Sequence, residues 1–133
     1  YAAPSYLAEH GDPVTPHDLE QHKSLRLLGR NGEPVAWTLS RGSESWTGLP
    51  PGSATANSPE LLTRLAAGGI GIASVPEYFA HPKVRTGELR RVLPDWHPPS
   101  HTAWAVFPGR RLMPAKTRAF IDMLQAAMAS SME

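Results

Sequence analysis

The sequence contains no cysteine among its 133 residues. This absence excludes disulfide bonds, thiolate metal sites and thiol redox chemistry in this stretch of chain. An excess of charge of one sign is also lacking, because thirteen Lys and Arg residues balance twelve Asp and Glu residues and leave a net charge of +1. Because positive and negative charges are nearly equal in number, a broad basic surface that binds nucleic acid is not expected.

Long apolar runs are missing as well. No stretch approaches the length of a membrane span, and no signal peptide is recognisable at the start of the sequence. We therefore predict no membrane partner and a cytoplasmic location. The hydrophobic content of 41% and the charged content of 19% are typical of a globular domain with a modest core.

Proline and glycine are abundant, with fourteen and eleven residues. They divide the chain into short elements. Periodicity and capping residues predict strands at 25–28, 35–39, 53–56, 89–93 and 102–107, and a loop over 42–51 in which Trp46 is strand-like. They predict helices at 5–10, 15–21, 58–67 and 76–80, and one that begins at Pro114.

The segment Ala67–Pro76 is a glycine turn that leaves a helix and enters a buried strand. Strand, helix and strand over residues 53–75 predict a βαβ unit with parallel strands. Gly69-Ile70-Gly71 resembles part of a phosphate-binding loop, but such a loop leaves a strand and enters a helix. The opposite order here favours a structural turn.

No catalytic, metal or cofactor site is predicted. His97 and His101 have a ligand spacing only on a helix, and Pro98-Pro99 prevents a helix there. No nucleophile motif is present, and the scattered carboxylates occupy positions expected of caps or surface residues.

Several stretches in order resemble the C-terminal part of LysR-type transcriptional regulators. Tyr1–Gly11 resembles the family's "A-S-P-x-Y-L-x-x-x-G" segment and Ala67–Pro76 its "A-G-x-G-I-A-x-x-P" segment. Further stretches that resemble the family are Thr15–Leu19, Val35–Leu39, Gly87–Trp96, Val106–Pro108 and Lys116–Leu124. Together they run nearly from end to end of the chain.

The resemblance implies an α/β fold, namely a periplasmic-binding-protein-like effector domain with two lobes. The chain would be mostly the second lobe, with βαβ units and a mixed sheet. Residues 1–96 would form this second lobe. Residues 97–133 would be the crossover, strand and C-terminal helix that return to the first lobe. The winged helix-turn-helix domain that binds DNA would lie upstream, absent from this fragment.

The function implied is that of a ligand-sensing effector domain, not an enzyme, which controls transcription in response to a small molecule. Its partners would be that effector, DNA through the absent N-terminal domain, and further copies in a homo-oligomer, with no cofactor. The alternative is a solute-binding protein of a transport system with the same fold.

Effector-binding residues are expected at the carboxyl ends of parallel strands. The resemblance and this rule together indicate Leu28, Gly29, Arg30, Asn31, Asn57, Ser58, Thr102 and Trp104. One hypothesis is that Arg30 and the backbone amides at Ser58 hold a carboxylate of the effector. The alternative is that Arg30 is a solvated loop residue and Ser58 only caps a helix.

Overall fold

The computed structural model describes residues 1–100 and 114–130. The chain divides into two units, Tyr1–Pro99 and Ser100–Glu133. The predicted strand at 102–107 and the predicted site residues Thr102 and Trp104 lie outside the described residues. The first unit contains all the strands of the described part, and the second contains the helix α4 (Ala115–Ser130).

A three-stranded parallel sheet forms the centre of the first unit. Strand β1 (Ser24–Leu27) lies between β4 (Gly52–Ala56) and β5 (Ile72–Ala73). Helix α2 (Pro59–Ala67) connects β4 to β5, which confirms the predicted βαβ unit. The backbone at the glycine turn lies next to the residue before β1, because the backbone N–H of Ile72 donates to the carbonyl oxygen of Lys23 at 2.9 Å.

Helix α2 begins and ends as predicted. Ser58 is its N-cap, Pro59 occupies the first helical turn, and Gly68 follows its last residue. Leu62 and Ala66 are fully buried, whereas Leu61 on the same helix is 46% exposed. Helix α3 (Glu77–Arg85) is longer than predicted and continues through Pro82.

The prediction of a loop over 42–51 is wrong for residues 44–48, which form a strand. Strands β2 (Trp37–Arg41) and β3 (Glu44–Gly48) form an antiparallel hairpin. The turn has only two residues, and Gly42 adopts a φ of 57° there. Trp46 is buried opposite Leu39, so packing across the hairpin holds a segment that is otherwise rich in turn residues.

The prediction of a strand at 89–93 is also wrong. Only Arg90 pairs in a sheet-like manner, by an isolated antiparallel bridge to Ala2. Leu93 adopts a φ of 51°, and Trp96 N–H donates to its carbonyl oxygen at 2.9 Å. The chain therefore turns at Leu93, while Leu89 and Leu93 are still buried.

Two hydrophobic clusters use the two faces of the parallel sheet. Because neighbouring residues of a strand face opposite sides, Leu25 and Ala73 pack with α2 and α3, and Ile72 faces the other side. The second cluster contains Tyr6 of α1 (Pro4–His10), Leu19 of a 3-10 helix (Pro16–Gln21), and tryptophans of the hairpin. None of the described helices is long and apolar enough to span a membrane.

Candidate functional site

The carboxyl ends of β1 and β4 meet at one edge of the sheet. Leu27 pairs with Ala56 at the end of both strands. The next residue, Leu28, donates its backbone N–H to the carbonyl oxygen of Ala56 at 2.8 Å. The structure therefore brings the segment that begins at Leu28 beside Asn57 and Ser58, which is the place where ligands bind in open α/β sheets.

The loop after β1 is held by its own backbone. Gly29 N–H donates to Glu33 O at 2.8 Å, and Gly32 N–H donates to Gly29 O at 3.0 Å. The side-chain oxygen of Asn31 accepts a hydrogen bond from Glu33 N–H at 3.2 Å, so Asn31 contributes to the turn itself. Gly32 has a φ of 79°, a conformation that favours glycine.

Arg30 lies at the tip of this loop and is exposed. Among the residues that the structure describes, none bonds to its guanidinium group. Within residues 1–100 and 114–130, the Arg30 guanidinium group is therefore a cation without an ion-pair partner, beside the edge where the strands end.

The second half of the edge is the start of α2. The Ser58 side-chain oxygen accepts a hydrogen bond from Leu61 N–H at 3.3 Å, and the Ser58 carbonyl oxygen accepts one from Leu62 N–H at 3.1 Å. Ser58 therefore caps the helix, and fewer backbone amides are free for an anion than the sequence suggested. Asn57 is exposed beside it.

One further residue at this edge was missed by the sequence reasoning. Ser74 follows β5 directly, and β5 runs parallel to β1 in register Leu25 with Ala73. Ser74 is half-buried at the same edge as Leu28 and Asn57. The pattern of a polar residue directly after a buried strand could have indicated it.

Arg26 of β1 lies close in sequence but is directed elsewhere. Its guanidinium group donates from Nε to Pro50 O at 2.9 Å, and from Nη2 to the same oxygen. Pro50 precedes the start of β4, so this cation is held towards the amino ends of the strands.

Two surface depressions of about 570 and 390 Å³ occur elsewhere in the described part of the chain. Neither is lined by any predicted site residue. In the same part of the chain no group of three or more His, Asp or Glu side chains could hold a metal ion.

The family comparison assigns this fold to a known class of domain. The family described as LysR substrate binding domain matches residues 1–129. The chain belongs to the LysR substrate-binding domain family. This result confirms the family and the fold class that the sequence resemblance indicated.

Curated LysR relatives are named as transcriptional regulators. An HTH-type transcriptional regulator of Xanthomonas campestris pv. campestris is 36% identical over 93% of this chain and 37% of the relative. The HTH-type transcriptional regulator PtxR of Pseudomonas aeruginosa is 33% identical over 93% of this chain and 39% of its own length. The chain thus spans about two fifths of the length of these relatives.

Solved structures of similar fold come from the same family. The regulatory domain of AphB from Vibrio vulnificus is 27% identical with a TM-score of 0.72, over 95% of this chain and 62% of that one. The full-length virulence activator AphB of Vibrio cholerae is 25% identical with a TM-score of 0.66, over 74% of this chain and 33% of that one. Since its relatives are regulators, the transport alternative is not favoured.

Proposed function

We propose that this LysR domain is the effector-sensing part of a transcriptional regulator that binds DNA through a domain outside the chain. The observation that carries the proposal is the match to the LysR family over residues 1–129, together with relatives named as HTH-type regulators. The near-neutral net charge of +1 fits a domain that senses a ligand and leaves DNA contact to another domain. We further propose a cytoplasmic protein that works as a homo-oligomer and catalyses no reaction.

Residues 1–96 are proposed as the second lobe and 97–133 as the return to the first lobe. The apolar side chains of α4 support the second part of this division. Phe120 and Met123, three residues apart on this 16-residue helix, are 64% and 72% exposed, so they place two large apolar side chains side by side on its surface. A lobe that lies outside this chain would cover them.

The effector is proposed to bind at the edge formed by Leu28–Asn31, Asn57 and Ser58, whereas Thr102 and Trp104, which the sequence also indicated, lie outside the described residues. Its support is the hydrogen bond from Leu28 to Ala56, which joins the two loops. Effector binding would change the angle between the lobes and so the geometry of the oligomer on DNA.

A carboxylate is proposed as the chemical group that Arg30 recognises. The exposed guanidinium group, which has no hydrogen-bond partner in the part of the chain that the structure describes, supports this proposal. The capping role of Ser58 supports only a smaller share for the helix amides. A hydrogen bond to a charged partner contributes about 1.5–3 kcal/mol, which corresponds to a change of about tenfold or more in affinity.

The test uses the full-length regulator and its thermal unfolding midpoint. Acetate, benzoate and succinate are the probes, and benzamide is the neutral control. We expect at least one carboxylate to raise the midpoint in the wild type and Arg30→Ala to weaken that binding about tenfold. Arg85→Ala, which changes an exposed arginine at the end of α3, should bind as the wild type does. Equal binding by the Arg30→Ala variant would show that Arg30 has no role.

A further inference from the structure

Two histidines flank Tyr6 where α1 meets the start of β1. The side chains of Tyr6 and His22 are buried, with 2% and 7% of each residue exposed. The ring of His10 stacks on the Tyr6 ring, with centroids 4.2 Å apart, and its Nδ1 lies 3.1 Å from the Tyr6 carbonyl oxygen. The ring of His22 lies 5.9 Å from the Tyr6 ring.

The Tyr6 hydroxyl lies within hydrogen-bond distance of both Lys23 and His22. Lys23 donates its backbone N–H to the hydroxyl oxygen at 2.9 Å, so the hydroxyl hydrogen is available to another acceptor. Nδ1 of His22 lies 3.3 Å from the hydroxyl oxygen. Nδ1 accepts the hydroxyl hydrogen only in the neutral form of His22 that carries its proton on Nε2.

Charged groups from every neighbouring element act on His22. Burial lowers the pKa of His22 below its ordinary value of 6.5, and the positive charge of His10 lowers it further. Asp18 and Asp12 raise it, but they do not reverse the direction. Glu20 and Lys23 line the same surface depression as His10 and His22.

We propose that His22 is the proton-sensitive latch that holds α1 to the start of β1. A proton on Nδ1 removes the acceptor of the Tyr6 hydroxyl and places a buried cation beside His10. Helix α1 directly follows Tyr1 and Ala2, whose backbones bond to Ala73 and Arg90. Acid therefore loosens the packing of α1 and, through it, the bonded edge of the sheet.

The direction of the pH dependence follows from the depressed pKa. Neutral His22 contributes fully to the stability of the folded state above pH 6.5. This contribution is lost as the pH falls through the lower pKa that His22 has in the folded state. One proton allows at most about a tenfold change in the opening equilibrium for each pH unit.

The test is hydrogen exchange by mass spectrometry on the full-length regulator between pH 5 and pH 7.5. Rates are corrected for the intrinsic pH dependence of exchange with an unstructured peptide. We expect opening of the segment from Pro4 to Lys23 to rise as the pH falls, by up to about tenfold per unit. His22→Asn keeps an acceptor at the position of Nδ1 but does not titrate, so this dependence should disappear. His81→Asn, on α3, should behave as the wild type.

A second measurement needs no variant. Slow deuterium exchange at the ring carbon of each histidine reports its pKa in the intact wild-type protein. His22 should titrate below 6.5, and its ring carbon should exchange more slowly than that of the exposed His17. Titration of His22 at or above its ordinary pKa of 6.5 would overturn the proposal. The same acid opening in His22→Asn as in the wild type would also overturn it.

Discussion

Gly71 is predicted to be the most sensitive of the three glycines between α2 and β5. A Cβ atom at Gly71 would lie 2.3 Å from the carbonyl oxygen of Lys23 and 3.1 Å from its carbonyl carbon. Real Cβ contacts essentially never fall below 3.0 Å, so the Gly71→Ala variant must separate the two backbones by about 0.7 Å. The same carbonyl oxygen accepts the Ile72 N–H that joins β5 to β1, and this separation weakens that bond.

The magnitude follows from these two costs. Overpacking costs about 1–3 kcal/mol, and a weakened hydrogen bond costs about 0.5–1.5 kcal/mol. We therefore expect Gly71→Ala to lower the free energy of unfolding by about 2–4 kcal/mol. For a domain of 150–250 residues this corresponds to a fall of roughly 4–16 °C in the unfolding midpoint.

The neighbouring glycines provide matched controls. Gly68 has a φ of −75° and its nearest neighbour would be 3.4 Å from a Cβ, so Gly68→Ala should cause no loss of stability. Gly69 has a φ of 77°, so Gly69→Ala should cost about 1–2 kcal/mol. Thermal unfolding of the full-length protein, followed by tryptophan fluorescence, measures all three. Equal midpoints for the alanine variants at 68 and 71 would refute the close-approach argument.

Two more predictions concern the core and the 3-10 helix. Leu62→Ala should lower the free energy of unfolding, measured in urea titrations, by about 2–5 kcal/mol, because Leu62 is fully buried. Leu61→Ala should lower it much less, because Leu61 is half-exposed. If the two variants are equally stable, α2 does not pack as described. The Asp18 carboxylate accepts hydrogen bonds from the backbone N–H groups of Thr15 and Val14, and these bonds lower its pKa below 3.8. The stability difference between the wild type and Asp18→Asn should therefore shrink as the pH falls through that lowered pKa, and a difference that grows in acid would contradict this.

Local sequence signals were sufficient for some elements. Ser58 and Pro59 mark the start of α2 and Gly68 its end, because capping depends on residues within one turn of the helix. The predicted strands at 25–28 and 53–56 agree with β1 and β4 to within one residue. Their hydrophobic residues and flanking turns are short-range features of the chain.

Other elements depend on contacts between distant residues. Strand β3 is stable because Trp46 packs opposite Leu39, and the sequence around it contains too many turn residues to indicate a strand. The segment at 89–93 has the composition of a strand, but it has only one bridge, to Ala2. Strand pairing is decided by the partner, which propensity does not contain.

The candidate site shows the same division. That Leu28–Asn31 and Asn57–Ser58 share an edge was expected from the family resemblance and from the rule that ligands bind at the carboxyl ends of parallel strands. The capping role of Ser58 was predicted, and Ser74 could have been found as a polar residue directly after a buried strand, but the direction of the Arg26 side chain was not predictable. That direction depends on side-chain geometry.

The sequence by itself determined the family, the βαβ unit and the structural nature of the glycine turn. It did so because helix caps, hydrophobic periodicity and motif order are properties of residues close together in the chain. Only the tertiary structure decided the strand order β4-β1-β5, the burial of His22 against Tyr6 and the close approach of Gly71 to Lys23. These features arise when segments far apart in sequence pack together, and packing fixes distances that a linear pattern does not contain.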